Sequence, residues 1–484
     1  MEQVDSSPAG NHHHHALLFP FMSKGHTIPL LHLARLLLRR NIAVTFVTTP
    51  SNFPFISQSF SSTASAANIL TIPFSHNVPE IPAGTESSDA LPSMSLFYPF
   101  ASSTVLMQPA FDAAIETLTP PPSLMVSDGF LWWTLESANR IRIPRLVSFG
   151  MSAHAMSLGR AVGETGILWG PESPEELIAL PQFPWMKVSK SDFEPFFYDR
   201  EAQQGVDFDF VMLAFGVAAQ SHGFVLNTFY ELEKAFVDYV NSSKNGPTSW
   251  CVGPLCLAPE PMEEDVSGPR PEYMDWLDRK YVEGKSVLFV AFGSQADISL
   301  EQLKEIAMGL EDSGANFLWV LRDKEAGLLG QEEVTRFEER VEERGKVVKG
   351  WARQREILGH KSVKGFMSHC GWNSVMESVC AGVAVAAWPM AAEQPMNARM
   401  VVEEMKVGVR VETCDGSVRG FVKRDGVATA VKELMEGERG RKAAERAAEL
   451  GEAARGAMEE GSGSSWVSLD KLIHEITVGV NKMD

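Results

Sequence analysis

Cysteine is scarce in this sequence. Its 484 residues include five cysteines, an odd number that lacks the paired spacing of a zinc site: Cys251, Cys256, Cys370, Cys380 and Cys414. A disulfide framework and a zinc module are therefore excluded. We expect the five residues to be reduced thiols in a cytosolic protein.

Long apolar runs and an excess of positive charge are also missing. No apolar stretch approaches the ~20 residues that span a bilayer, and no cationic N-terminal region leads into one, so we expect neither a membrane span nor secretion. Lys and Arg number 43 against 62 Asp and Glu, which gives a net charge of −19. Such a chain does not attract nucleic acid or an anionic membrane in general, so an anionic ligand must find locally positive groups.

A run of histidines, His12 to His15, has the composition of a metal site or an expression tag. No cysteine or carboxylate ligand flanks it, and it stands beside a predicted strand. We interpret it as a polar N-terminal arm.

The composition that remains, 44% hydrophobic and 22% charged, is that of a globular protein long enough for two ordinary domains. From residue 16, the segments ALLFPF, MSKGHTIP, LLHLARLLLRR and AVTFVTT predict a strand, a turn, a helix and a strand. Further short apolar runs follow at 68–74, 124–130 and 144–149. This alternation predicts a parallel sheet with helices on its faces.

A change of composition divides the chain. The segment from about residue 241 to 270 is rich in Pro, Gly and acids and has no period, which predicts a linker. Beyond it, apolar runs again alternate with predicted helices. The sequence therefore predicts an α/β fold with two Rossmann-like domains, residues 1–245 and 271–460, joined by a linker at 246–270. A last amphipathic helix is predicted within 461–484.

Polar residues follow two predicted strands of the first domain, where ligands of open α/β sheets bind. His26 lies five residues past the first strand, and Asp128 comes directly after LMVS. A neutral histidine can accept a proton from an attacking hydroxyl, and a carboxylate on its other ring nitrogen would fix the tautomer. The spacing alone also fits a histidine at a helix start beside an unrelated surface Asp.

The densest set of chemical groups lies in residues 351–394. There HCGWNS follows a short predicted strand and opens a helix, whose positive end suits a diphosphate. Glu377, one turn into that helix, can accept two hydrogen bonds from a ribose, while Trp351 offers a face and Gln354 an amide to a base. A capping box formed by Ser374 and Glu377 would explain part of this pattern, but not all 44 residues.

Residues 351–394 resemble the signature box of plant secondary-product UDP-glycosyltransferases. The segments FPFMSKGHTIP, GFVLNTFYELE and FVAFGSQ resemble other segments of that family in the same order, so the resemblance covers essentially the whole chain. It implies two Rossmann-like domains facing across a cleft, the type B glycosyltransferase architecture. The acceptor would bind in the N-terminal domain and the UDP-sugar mainly in the C-terminal domain. The helix in 461–484 would pack back on the N-terminal domain.

The resemblance also implies roles for individual residues. His26 would be the general base and Asp128 its partner. In the UDP-sugar, the uracil would be bound by Trp351, Ala352 and Gln354, and the ribose by Glu377. The diphosphate would be bound by Ser294, His369, Asn373 and Ser374, with Trp372 supporting the loop. The sugar would be bound by Glu393 and Gln394. Four side chains are candidates for the wall of the acceptor pocket: Met94, Phe97, Phe130 and Met151. Each could equally belong to the ordinary hydrophobic core.

The reaction that the resemblance implies is the inverting transfer of a hexose, with glucose expected, from a UDP-sugar to a small lipophilic acceptor. A flavonoid or another phenolic is the expected acceptor, and the product is a β-glycoside. The helix end and His369 would stabilise the leaving UDP without a metal or other cofactor. Attack by an oxygen and attack by an activated aromatic carbon both fit.

Three other functions compete with this one. Asp207 and Asp209 could chelate a divalent cation in a metal-dependent glycosyltransferase, although they precede a predicted helix, where acids suit the helix dipole. A non-catalytic sugar-nucleotide or metabolite binder would share the fold but would not need both His26 and Asp128. A nicotinamide dehydrogenase is the weakest alternative, because MSKGHTIP stands where its glycine fingerprint would follow the first strand.

Overall fold

The computed structural model describes residues 14–60, 67–74, 78, 80–244, 246–259 and 270–480. His12, His13 and residues 260–269 of the predicted linker lie outside these residues. His15 is the first residue of the first strand, where it is buried and bonded through Nε2 to Thr45 Oγ1 at 2.8 Å. Its interpretation as part of a polar arm is therefore wrong, because the strand begins one residue earlier than the apolar run.

The first domain alternates strands and helices. Its strands are β1 His15–Phe19, β2 Ala43–Thr48, β3 Asn68–Thr71, β4 Leu124–Asp128, β5 Arg145–Ser148, β6 Ile178–Leu180, β7 Phe183–Val188, β8 Gly223–Leu226 and β9 Thr248–Cys251. Its helices are α1 Lys24–Leu38, α2 Phe53–Phe60, α3 Phe97–Ser103, α4 Gln108–Ile115, α5 Thr134–Arg140, α6 Ala153–Thr165, α7 Val206–Ala218 and α8 Tyr230–Val240.

Seven of these strands form one parallel sheet, in the order β3-β2-β1-β4-β5-β8-β9. Strand β4 lies at its centre with β1 beside it, and the pairing of Phe19 with Ser127 sets the register between β1 and β4. Both strands are buried along their whole length, as expected for a parallel sheet covered on both faces. The remaining two, β6 and β7, form an antiparallel hairpin.

The second domain has the same plan. Its strands are β10 Val287–Ala291, β11 Asn316–Leu321, β12 Gly345–Lys349, β13 Val363–Ser368, β14 Ala384–Ala387 and β15 Gly408–Arg410. Its helices are α9 Glu272–Val282, α10 Leu300–Ser313, α11 Asp323–Leu329, α12 Gln331–Val341, α13 Gln354–Leu358, α14 Trp372–Ala381, α15 Gln394–Arg399, α16 Arg424–Glu436 and α17 Glu438–Ala457, followed by α18 Ser464–Val480. The strands pair in parallel in the order β12-β11-β10-β13-β14-β15. The predicted fold of two Rossmann-like domains is confirmed.

The range 246–270 is not a linker throughout. Its first part contains β9, which pairs with β8 and adds an edge strand to the first sheet. Trp250 and Cys251 in this strand are buried. Four residues are too few to stand out from a Pro- and Gly-rich window, which is why the composition hid the strand.

The last helix, α18, lies against the first domain. Its buried side chains Leu469, Leu472 and Ile476 belong to the same hydrophobic cluster as Leu30 of α1. Arg40 Nε also donates to Asp470 Oδ1 at 2.6 Å. Among the helices of the described residues, none combines the length and the apolar character needed to cross a bilayer.

Candidate active site

His26 and Asp128 meet at the edge of the first sheet. His26 lies in the first turn of α1, just after β1, and Asp128 is the last residue of the neighbouring β4. His26 Nδ1 lies 2.6 Å from Asp128 Oδ2. The Asp128 side chain is 3% exposed, whereas that of His26 is 17% exposed. The carboxylate of the pair is thus buried, while the imidazole is accessible.

The surroundings of Asp128 orient its carboxylate. Oδ1 accepts a hydrogen bond from the backbone of Phe130 at 2.9 Å, and Arg145 donates to the Asp128 backbone carbonyl at 3.1 Å. Oδ2 is therefore directed at His26. An ionised carboxylate only accepts hydrogen bonds, so Nδ1 of a neutral His26 carries the proton and Nε2 is the basic nitrogen.

Gly150 keeps that basic nitrogen uncrowded. A Cβ atom at this position would lie 3.5 Å from Nε2 and 3.4 Å from Cε1 of His26. Alanine would therefore just touch the ring, and a branched side chain would occupy the space beside Nε2. Gly150 was not predicted from the sequence, because nothing in its neighbourhood along the chain points to His26.

The charges around His26 outweigh its burial. Burial disfavours the imidazolium, but the charge and hydrogen bond of Asp128, with smaller contributions from Glu393 and Asp89, raise the pKa of His26 above its ordinary value. Glu393 belongs to the second domain, so both domains contribute negative charge to the surroundings of the imidazole. A proton accepted by His26 is stabilised from both domains.

Phenylalanine rings lie beside the imidazole: Phe21 and Phe130 contact it, and Phe97 and Phe210 pack on Phe130. The centroid of Phe130 lies 5.4 Å from that of His26, and within 5.5 to 5.7 Å of those of Phe21, Phe97 and Phe210. Phe97 and Phe130 were predicted for the acceptor pocket. Phe21 and Phe210 were not, although Phe21 lies five residues before His26. We call these four phenylalanines the aromatic wall.

The two methionines predicted for the same pocket lie less centrally. Met94 is half-buried in the turn before α3. Met151 packs with the hydrophobic cluster that contains Phe149 and Leu158. Their contact with an acceptor stays a prediction.

His369 lies at the start of the second site, between β13 and α14. It is closely covered, because a Cβ atom on Gly293 or Gly371 would approach Nε2 to 2.6 or 2.5 Å. Burial and the charge of Arg322 lower the pKa of His369 to about 4. The ring is thus neutral at physiological pH, and its buried Nδ1 has no hydrogen-bond partner in the described residues. It is suited to hydrogen bonding with a ligand and not to supplying charge.

Several polar groups predicted for the diphosphate contact the first domain. Asn373 Nδ2 donates to the Gly25 carbonyl at 2.5 Å, and Asn373 Oδ1 accepts from Asn227 at 3.1 Å. Ser294 Oγ donates to Asp89 Oδ1 at 2.8 Å. The residues predicted for the diphosphate therefore lie next to the turn that contains Gly25 and His26.

Trp372 is buried beneath this region, and its Nε1 donates to the Asn227 carbonyl at 2.9 Å. This contact agrees with a supporting role for the tryptophan.

The residues predicted for the nucleoside also lie together. Gln354 Nε2 donates to Ser374 Oγ at 2.9 Å and to Glu377 Oε2 at 2.7 Å. Burial raises the pKa of Glu377, while the bond from Gln354 opposes that shift. Ala352 is buried, and Trp351 is 55% exposed, with the Lys24 ammonium 4.0 Å from the centroid of its ring.

Glu393 and Gln394 are placed at the start of α15 by local hydrogen bonds. Gln394 Oε1 accepts from the backbone of Met390 and of Ala391, both at 2.9 Å, which leaves its NH₂ group available. Burial raises the pKa of Glu393, while the charge of His26 opposes that shift.

An ion pair that sequence analysis missed joins α15 to the first domain. Arg399 Nη2 lies 2.8 Å from Asp192 Oδ2, and both side chains are buried. The pair holds the helix that begins with Gln394 against the acceptor domain.

The acids of the metal-dependent alternative lie elsewhere. Asp207 and Asp209 are exposed in the first turn of α7, preceded by a turn and not by a strand. This is the environment expected for carboxylates that interact with a helix dipole.

Comparisons with known proteins point to one family. The model for UDP-glucoronosyl and UDP-glucosyl transferase matches residues 271–450. UDP-glycosyltransferase 90A1 from Arabidopsis thaliana is 50% identical over 472 residues, which cover 96% of this chain and 97% of that protein.

Solved structures are similar over both domains. Glycyrrhiza uralensis UGT73P12, complexed with glycyrrhetinic acid 3-O-monoglucuronide, is 30% identical with a TM-score of 0.83 and 97% of each chain covered. Phytolacca americana UGT2, complexed with UDP-2fluoro-glucose and pterostilbene, is 28% identical with a TM-score of 0.77, and the match covers 96% of this chain and 100% of that one.

Proposed function

Because this chain belongs to the plant UDP-glycosyltransferases, enzymes that transfer a sugar from a UDP-sugar to a small acceptor, we propose that it transfers glucose from UDP-glucose to a phenolic acceptor. A flavonoid is the acceptor class that we favour. The product is a β-glycoside, formed with inversion of the α-linked donor.

The observation that carries the proposal is the 2.6 Å contact between His26 and Asp128, with the ring of Phe130 beside the imidazole. His26 Nε2 accepts the proton of the acceptor hydroxyl as its oxygen attacks the anomeric carbon. The bond from that carbon to the UDP oxygen breaks, and UDP leaves with the electron pair. Asp128 stabilises the imidazolium that results.

The leaving group is bound by residues of the second domain. We propose that the free amides at the start of α14, together with Asn373, Ser374, Ser294 and neutral His369, hydrogen-bond the diphosphate as its charge develops. Trp351, Ala352 and Gln354 bind uracil, Glu377 binds ribose, and Glu393 and Gln394 bind the sugar. These groups stabilise the leaving UDP by themselves, so we propose that the reaction needs no metal ion.

The aromatic wall favours a flat acceptor. Phe97 and Phe130 are the partly exposed members of this wall, and Phe130 lies beside the base. They offer edge and face contacts to an aromatic ring, and such contacts contribute about 0.5–1.5 kcal/mol each beyond burial. The Phytolacca americana relative was solved with pterostilbene, which supports the same acceptor class here.

We also propose that the enzyme is cytoplasmic. Its five cysteines, four of them buried, are all free thiols, the state that a reducing compartment maintains. Microscopy of a fluorescent fusion in plant cells tests this placement.

The activity is tested with UDP-glucose and a panel of flavonoids and simple phenols. Mass spectrometry should detect acceptors that have gained one hexose, with the rate unchanged by a chelator of divalent ions. Acid hydrolysis then separates oxygen-linked from carbon-linked products, because only the former release the sugar readily. UDP binding without any glycoside would instead indicate a non-catalytic binder.

A further inference from the structure

Lys24 reaches from the first domain to the second. It begins α1, two residues before His26, and its Nζ lies 4.0 Å from the centroid of the Trp351 ring. Within the described part of the chain, this ammonium makes no ion pair. A cation–π contact at an exposed ring contributes only about 0.5–1 kcal/mol, so a ligand that stacks on Trp351 can displace the lysine.

Among the described residues assigned to the diphosphate, none carries a positive charge. His369 is neutral, because its pKa is about 4. Arg322 is already paired with Glu325 at 2.5 Å and donates to the Ser294 carbonyl at 2.7 Å. The start of α14 contributes roughly half a positive charge. Much of the charge of a bound UDP is therefore left unmatched by the second domain.

The backbone of Lys24 lies beside this site. Its backbone N–H donates to Asp89 Oδ2 at 2.8 Å, and the other oxygen of that carboxylate accepts from Ser294 Oγ, also at 2.8 Å. A single carboxylate thus separates the base of the lysine side chain from the turn predicted to bind diphosphate. The flexible four-carbon stem of lysine allows its ammonium to reach either the Trp351 ring or this turn.

We propose that Lys24 is a donor-binding residue contributed by the acceptor domain. Uracil displaces its ammonium from Trp351, and the ammonium then pairs with the diphosphate beside Ser294. This inference rests on the proposed function, since it requires a UDP-sugar in the cleft. Lys24 lies in the same helical turn as His26. Pairing of Lys24 with the diphosphate therefore brings the His26 side chain toward the anomeric carbon of the donor.

The test compares UDP with uridine, which has the base and ribose but no phosphate. Lys24→Met preserves the length of the side chain without its charge. By titration calorimetry, its dissociation constant for UDP should rise roughly tenfold to a hundredfold, the range for a lost bond to a charged group. Uridine should bind equally well or more tightly, because Lys24 no longer competes for Trp351. Lys24→Arg should keep most of the affinity for UDP.

Lys364→Met is the matched control. Lys364 is exposed near the amino end of β13, whereas His369 follows the carboxyl end of that strand. The same change of charge should therefore leave the affinities for UDP and uridine unchanged. Equal losses for UDP and uridine in Lys24→Met, or no loss for either, would overturn the inference. A wild-type protein that does not bind UDP would overturn the proposed function itself, and this inference with it.

Discussion

His26 Nδ1 and Asp128 Oδ2 lie 2.6 Å apart, although the two residues are 102 positions apart in the chain. Adjacent parallel strands bring them together, since β1 and β4 end at the same edge of the sheet. The carboxylate is buried and the imidazole is accessible, which is the arrangement of a base and its orienting partner.

Replacing Asp128 by Asn should lower turnover without preventing it. The amide can still occupy the site beside His26, but it does not stabilise the imidazolium with a charge. We expect a loss in kcat smaller than the roughly 10²–10⁴-fold that a general base contributes, with an unchanged dissociation constant for UDP. A loss of UDP affinity in Asp128→Asn would show that the residue supports the fold of the cleft instead.

The raised pKa of His26 predicts the direction of the pH dependence. Only neutral His26 accepts a proton, so kcat/KM for the acceptor should rise with pH through a midpoint above 6.5 and then level off. Removing the negative charge of Asp128 should move the midpoint to lower pH. Rates from pH 5 to 9 with a simple phenol, which ionises at about pH 10, would show both effects. A flat profile would contradict them.

Gly150 should tolerate alanine but not valine. The alanine Cβ would make ordinary contact with the His26 ring at 3.4 Å, whereas the valine methyls would fill the space beside Nε2. We expect Gly150→Val to lower kcat/KM for the acceptor strongly and Gly150→Ala to lower it only a few-fold. The affinity for UDP should stay the same in both, and equal effects of the two variants on kcat/KM would refute this steric account.

The ion pair between Arg399 and Asp192 should contribute to stability. Arg399→Met leaves the carboxylate of Asp192 buried without its cation, which typically costs about 3–5 kcal/mol. Asp192→Asn should cost less, because Arg399 still pairs with Glu403 at 2.8 Å. Urea denaturation would measure both. The opposite order would mean that the hydrogen bonds that Asp192 accepts from Ser189 outweigh the ion pair.

The parts predicted from sequence were those with a local signature. Strands β1 and β4 are continuous apolar runs, and residues that follow such strands emerge at one edge of a parallel sheet, so His26 and Asp128 could be paired in advance. The nucleotide residues depended on the resemblance of residues 351–394 to a known family. Periodicity alone would not have assigned Glu377 to a ribose.

The parts that sequence analysis missed depend on contacts between distant segments. Phe210 joins the aromatic wall from α7, and Asp89 reaches Ser294 from the other domain. Neither stands in a pattern that signals its partner. Strand β9 was hidden for another reason, because its four residues were averaged with a Pro- and Gly-rich neighbourhood.

The most direct test of the mechanism is the turnover of His26→Ala with UDP-glucose and a phenolic acceptor, measured together with its affinity for UDP. Because His26 acts on the acceptor and is not among the residues assigned to the nucleotide, we predict that kcat falls by roughly 10²–10⁴-fold while UDP binding is kept. Turnover equal to that of the wild type would contradict the account.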